Sequence, residues 1–155
     1  MRPPGRILFS TLVFIYQIMD DLKRAKLPLH HLVRPNTNGA SNPPALFLLH
    51  GFGSNEEDLF SFAPELPEDL FVISLRAPYE LPPYGNAWYA INFEAPRGKW
   101  NDVGQAIKSR ELLLETIDEA IEKYDLDPER ISLLGFSQGS ILSYAMALSY
   151  PERIK

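Results

Sequence analysis

Three short runs of the chain are apolar at nearly every position: Ala-Leu-Phe-Leu-Leu-His over residues 45–50, Phe-Val-Ile-Ser-Leu over 71–75 and Ile-Ser-Leu-Leu-Gly over 131–135. Runs of this length and content predict strands buried on both faces, as in a parallel sheet. Residues 27–34 predict a first strand ahead of them, and residues 35–44, rich in Asn, Gly and Pro, a loop. Over residues 103–124 the period lengthens to that of a helix, with Val103, Ile107, Leu113, Leu114, Ile117, Ile121 and Tyr124 on one face. Charges in the same stretch, among them Glu111, Glu115 and Lys123, read as its solvated side. Residues 56–63 predict a short helix cut off near Pro64, and residues 140–150 another, ended by Pro151. Strands alternating with helices predict an α/β fold, a mostly parallel sheet with helices on both faces.

Residues 77–99 fit neither period. They hold Pro78, Pro82, Pro83 and Pro96 among the aromatic rings of Tyr79, Tyr84, Trp88, Tyr89 and Phe93. A connection this long in a compact domain is usually functional. Two readings are open: the rings wall an apolar pocket, or they cover one end of the sheet.

Candidate chemistry sits at the ends of two of the apolar runs. Gly135-Phe136-Ser137-Gln138-Gly139 joins the last strand to the last helix, the context in which G-x-S-x-G forms a nucleophile elbow. The serine of such an elbow occupies a strained turn, so its flanking positions must be nearly free of side chain. The helix behind it favours negative charge developing at its first turn. A plainer reading makes Gly135 and Gly139 the means of a tight turn and Ser137 a passive hydroxyl. The earlier run ends in His50-Gly51-Phe52-Gly53-Ser54, where Ser54 with Glu57 predicts a capping box opening a helix. An HG-type loop at this place supplies the second oxyanion-hole amide of an esterase; Gly51 and Gly53 also suit an ordinary strand–helix connection. A dinucleotide fingerprint fits poorly, because its third glycine would fall at Glu56.

Taken together, Leu49-His50-Gly51-Phe52-Gly53 and Gly135-Phe136-Ser137-Gln138-Gly139 resemble the phospholipase/carboxylesterase/thioesterase family of α/β-hydrolases, which includes acyl-protein thioesterases. Arg76-Ala77-Pro78, Trp88-Tyr89 and Asp127-Pro128-Glu129-Arg130-Ile131 extend the resemblance over residues 27–155. It implies a serine hydrolase that cleaves small-molecule carboxylic esters or thioesters through an acyl-enzyme on Ser137. It also implies an oxyanion hole from the backbone amides of Phe52 and Gln138, with Trp88 near the acyl pocket. No metal or organic cofactor is implied.

The chain departs from that family after the serine. Triad partners in this fold follow as Asp and then His, yet beyond Ser137 the only carboxylate is Glu152 and there is no histidine. His50 belongs to the HG loop, and His30 and His31 are neighbours on a predicted strand, facing opposite ways. Asp127-Pro-Glu-Arg-Ile131, which leads into the elbow strand, is echoed by Tyr150-Pro-Glu-Arg-Ile154 just before the end. The expectation is a C-terminally truncated family member, inactive by itself, with an open sheet edge along residues 131–135. The alternative is a non-catalytic binding protein, or a relic, that keeps the hydrolase fold.

Composition narrows the partners. Residues 1–34 hold six basic and two acidic groups (+4), and residues 35–155 nine basic and eighteen acidic (−9). An acidic domain argues against nucleic acid as a partner. The absence of cysteine excludes disulfides, a thiol nucleophile and thiolate metal sites. Residues 1–26 stand apart from the 27–155 domain as an N-terminal extension. Arg2 and Arg6 precede an apolar stretch over residues 7–19, signal-like but without a small-x-small cleavage site. That stretch is short for a membrane span, and Met19 offers an alternative start, so membrane contact is expected only if residues 7–19 belong to the natural protein. A cytoplasmic location is expected otherwise; oligomeric state is open.

Overall fold

In the computed structural model, which describes residues 26–93 and 100–155 (Trp100 by its backbone alone), the three apolar runs lie side by side. The chain passes through β1 (His31–Arg34), β2 (Ala45–Leu49), α1 (Glu56–Phe60), β3 (Phe71–Leu75), β4 (Tyr79–Glu80), β5 (Asn86–Ala87), β6 (Ile91–Asn92), β7 (Trp100–Asn101), α2 (Val103–Tyr124), β8 (Ile131–Gly135) and α3 (Gln138–Ser149). The main sheet has the order β1-β3-β2-β8. β2 pairs in parallel with β3 and with β8, Phe47 lying opposite Ile73 and Leu133, while β1 runs antiparallel along β3. β2 and β3 are buried at every position, as their unbroken apolar runs require.

Alternation along the strands divides the core. Ala45, Phe47, Leu49, Phe71, Ile73 and Leu75 face α2 and α3, where Leu113, Ile117, Leu142 and Met146 meet them. Leu46, Leu48 and Val72 face the other way, against Leu59 and Ala63. Helices therefore cover both faces of a mostly parallel sheet, the α/β layering expected. β8 forms one edge of this sheet. Along that edge the Lys155 N–H donates to the Ile131 carbonyl at 2.9 Å.

Several boundaries differ from the sequence reading, each for a local reason. The first strand begins at His31 and not at residue 27, because Pro28 has no N–H to give a ladder. The predicted capping box does not form. Asn55 caps α1 instead, its side chain accepting the Glu57 N–H at 2.9 Å, while Ser54 Oγ donates to Asp58 at 2.7 Å. α1 stops at Phe60, and Pro64 is the second residue of a separate 3₁₀ turn over Ala63–Glu65. The aromatic stretch after residue 77 is not one long loop: β4 pairs with β5 and β6 with β7 as two small antiparallel ribbons. Expectations for residues 1–25 lie outside the described residues. No helix among the described residues is long and apolar enough to cross a membrane.

α2 spans the residues expected, but its buried stripe does not. Ser109, Leu113, Thr116, Ile117, Ala120 and Tyr124 are buried, whereas Val103 and Ile107 are 65% and 44% exposed. A helix of this length runs about 33 Å, against about 17 Å for a five-residue strand, so its first turns overhang the sheet. The consequence is testable by urea denaturation. Ile117→Ala removes wholly buried volume and is expected to lower stability by about 2–5 kcal/mol. Ile107→Ala, on the overhang, should change it by no more than about 0.5 kcal/mol.

Candidate active site

Two residues, Phe136 and Ser137, separate the end of β8 from the start of α3. The strand must therefore reverse into a helix almost without a loop. Ser137 carries the reversal at φ 50°, ψ −112°, a conformation that side-chain-bearing residues rarely hold. Such strain amounts to about 1–3 kcal/mol and persists only where the surroundings enforce it. Here they do. A Cβ on Gly135 would sit 2.4 Å from the Gly139 carbonyl carbon, and one on Gly139 would sit 2.0 Å from the Leu49 carbonyl oxygen. Strand, helix and neighbouring strand thus touch backbone to backbone. Hydrogen bonds close the turn: Phe136 N–H to the Leu49 carbonyl at 3.0 Å, Gly139 N–H to the Phe136 carbonyl at 2.9 Å, and Ser140 Oγ to the Gly135 carbonyl at 2.6 Å. The Ser137 side chain is left exposed.

The HG loop lies directly against this elbow. A Cβ on Gly51 would meet the Phe136 ring at 3.0 Å and the Ser137 Cβ at 3.4 Å. Gly53, at φ 80°, donates its N–H to the Asn86 carbonyl at 2.9 Å, and Asn86 returns its own to Ser54 at 2.7 Å. The Phe52 N–H, and the Gln138 N–H that opens α3, have no acceptor among the described residues. The structure thus brings Gly51, Gly135, Ser137, Gln138 and Gly139 together, with Phe52 the residue after Gly51.

Trp88 is placed differently. It has no accessible surface; its indole N–H donates to the His50 carbonyl at 2.9 Å, and it packs beside the His50 ring. The apolar side chains that do stand open near the serine are Phe52, Phe93 and Phe136, with Phe52 and Phe93 edge to face at 5.9 Å. The Gln138 side chain has a role the sequence reading missed. It is buried and bridges the aromatic segment, accepting the Trp88 N–H at 2.8 Å and donating to the Tyr89 carbonyl at 2.7 Å. Its only sequence signal is a large polar residue between two positions that must be nearly side-chain-free, which says nothing of a partner fifty positions away.

No histidine reaches the serine. The three in the chain are His30, His31 and His50. His30 lies 3.4 Å from the Glu56 carboxylate, which Arg76 holds from the other side through two N–H groups. Burial pushes that carboxyl up, but the Arg76 guanidinium more than reverses it, so Glu56 titrates below the ordinary carboxylate range. His31 bonds the Leu29 carbonyl at 3.1 Å through Nδ1 and the Tyr124 hydroxyl at 2.6 Å through Nε2. Burial pushes the Tyr124 hydroxyl up to about 12. His50 is wholly buried, its Nδ1 2.7 Å from the Gly51 carbonyl and its Nε2 accepting the Ala77 N–H at 3.0 Å. Among the described residues no cluster of three or more His, Asp or Glu could hold a metal.

Two measurements follow from this geometry. Gly139→Ala drives a methyl into the Leu49 carbonyl, and urea denaturation is expected to show a loss of about 3 kcal/mol or more. Gly104→Ala, in the first turn of α2 where only the Asp102 carboxylate comes near, should stay within about 1 kcal/mol. The second concerns pH. Burial lowers both His50 and His31 below their ordinary value, against opposing pulls from the Gly51 and Leu29 carbonyls. The unfolded chain therefore takes up protons first as pH falls below about 6.5. Their contribution to stability is complete above that pH and is lost as pH drops from there toward their folded values. Urea midpoints should fall between pH 7.5 and pH 5.5, and His31→Asn should flatten part of that slope.

The sequence pattern of the phospholipase/carboxylesterase family matches residues 36–155. Acyl-protein thioesterase 1 of Candida albicans is 32% identical over 126 residues, an overlap covering 73% of this chain and 54% of that protein. Among solved structures, the Bacillus cereus carboxylesterase is similar at a TM-score of 0.69 and 25% identity, over 82% of this chain and 57% of its own. A solved esterase, PE8, is similar at a TM-score of 0.66 and 26% identity, over 84% of this chain and 61% of its own. The chain spans about half the length of the curated relatives it matches. With most of its length matched and a strained serine elbow set against an HG loop, the chain belongs to the phospholipase/carboxylesterase family of α/β-hydrolases.

Proposed function

We propose that this chain carries the nucleophile and oxyanion hole of a serine hydrolase acting on carboxylic esters or thioesters. The observation that supports it most is Ser137: exposed, held at φ 50°, and set against the HG loop, with the Phe52 and Gln138 N–H groups free of acceptors among the described residues. Ser137 Oγ attacks the acyl carbonyl carbon and gives up its proton to a base. The carbonyl oxygen, now negative, accepts from the Phe52 and Gln138 N–H groups, each such donor being worth about 10²–10³ in rate. Collapse of the intermediate breaks the bond to the alcohol or thiol, which leaves with the proton. Water then attacks acyl-Ser137 and releases the carboxylic acid. Both leaving groups are kept in the proposal because one similar protein is named as a thioesterase and another as a carboxylesterase. The exposed rings of Phe52, Phe93 and Phe136 favour an apolar acyl chain.

The base is the missing member. A serine hydroxyl is a weak nucleophile without one, and each histidine of the chain is held by other groups. The 155-residue chain by itself is therefore expected to acylate slowly and to turn over little. The test is to incubate it with p-nitrophenyl acetate and locate the acyl group by peptide mass spectrometry. We expect one acetyl group on Ser137, absent from Ser137→Ala, and faster acylation when free imidazole is added as an external base. Acetylation confined to lysines with imidazole present would count against a catalytic serine and favour the non-catalytic binding protein. Rapid multiple turnover without imidazole would show that a base is already in reach.

A further inference from the structure

The HG loop contains a device that fixes one amide direction, and it begins with an obligatory donor. Ala77 N–H can only donate, so the His50 Nε2 it meets at 3.0 Å must offer a lone pair. The ring proton of neutral His50 is then on Nδ1, which donates to the Gly51 carbonyl at 2.7 Å. That carbonyl shares a planar trans peptide with the Phe52 N–H, and the two point in opposite directions. Holding the Gly51 oxygen inward on the buried imidazole therefore turns the Phe52 N–H outward.

We infer that His50 is a positioning residue: by locking its own tautomer on Ala77 and the Gly51 carbonyl, it presets the Phe52 N–H as an outward-facing donor. The surrounding bonds agree. The preceding peptide is held as well, its His50 carbonyl accepting from the Trp88 indole at 2.9 Å, and Gly53 N–H is bonded to Asn86 at 2.9 Å. Ser54 N–H also reaches the Gly51 carbonyl, but at 3.3 Å, so it is the weaker of the two anchors. The Phe52 N–H has no acceptor among the described residues. Glycine at position 51 suits this arrangement, since a side chain there would strike Phe136 at 3.0 Å. A histidine that only filled space would not need its two nitrogens assigned to opposite roles. The inference rests on reading the Phe52 amide as an oxyanion donor, and its chemistry is that of any acyl substrate whose carbonyl oxygen becomes negative.

NMR on the 155-residue chain tests it without calling on turnover. Two-bond proton–nitrogen correlations of the His50 ring should show protonation on Nδ1. His50→Asn keeps an N–H donor at the place of Nδ1, whereas His50→Gln keeps a group only at the place of Nε2. The Phe52 HN–Hα coupling, which reads the backbone angle set by this peptide, should stay native in His50→Asn and depart from it in His50→Gln. Couplings of Phe47 and Ile73 should be native in both. A ring protonated on Nε2 would overturn the proposal even if neither variant folds, and so would a native Phe52 coupling in folded His50→Gln. Adding an alkylboronic acid, which forms a negatively charged adduct on an active serine, separates this proposal from the one beneath it. Where boron NMR shows the tetrahedral adduct on Ser137, a native tautomer and coupling pattern with no shift of the Phe52 amide would defeat the oxyanion reading and leave the loop geometry standing.

Discussion

Where α3 leaves the elbow, its first turn crosses the end of β2 so closely that a Cβ on Gly139 would stand 2.0 Å from the Leu49 carbonyl oxygen. That approach depends on β2 and β8 pairing in parallel to their last residues, Leu49 opposite Gly135. It also places His50, the residue after β2, under the elbow and starts the HG loop beside Ser137. The strain at φ 50° is held because moving the serine would break the sheet ladder on one side or lift the helix off it on the other. Ser137 and the HG loop are therefore positioned by the same contact.

The rest of the site is held by buried polar side chains standing in for a sheet. Residues 88–90 are anchored almost atom by atom. Trp88 N–H and the Tyr89 carbonyl go to Gln138, the Trp88 carbonyl to Ser109, Ala90 N–H to Gln105 and the Ala90 carbonyl to Asp102 N–H. Every one of these partners lies in α2, α3 or the α2 cap. An irregular segment can be buried only when its backbone groups are satisfied in this way. The result is a rigid stack: Gln138 holds Trp88, Trp88 holds the His50 carbonyl, and His50 holds the Gly51 carbonyl. Trp88 thus reads as a beam between two loops, which is why a residue expected beside an acyl pocket has no accessible surface.

What could be read from the sequence was whatever depends on neighbours along the chain. Phe71–Leu75 and Val103–Tyr124 were legible to the residue, because an unbroken apolar run and a helical period are local patterns. The two glycine motifs were legible for the same reason, as close backbone approach needs glycine at fixed spacing. What depends on distant partners was not. Nothing near Asn55 marks it over Ser54 as the cap, and the exposed start of α2 follows from the sheet ending short of the helix. The pairing of Gln138 with Trp88 and Tyr89 spans about fifty residues and leaves no periodic trace.

On the proposed reading, elbow and base are physically separable parts, and each histidine of this chain is held by groups other than the serine. An oxyanion hole works by fixed direction: its N–H groups cost no reorganisation when charge appears, because the fold has already oriented them. The orientation proposed for the Phe52 N–H, from the Ala77 N–H through the His50 ring to the Gly51–Phe52 peptide, comes from residues of this chain. A base, by contrast, needs only to be brought within hydrogen-bond distance of an exposed oxygen. The preorganisation proposed at Ser137 therefore does not depend on where the proton acceptor comes from. On the proposed reading, Ser137 still needs a base brought to it, while the amides proposed to stabilise its transition state are already oriented.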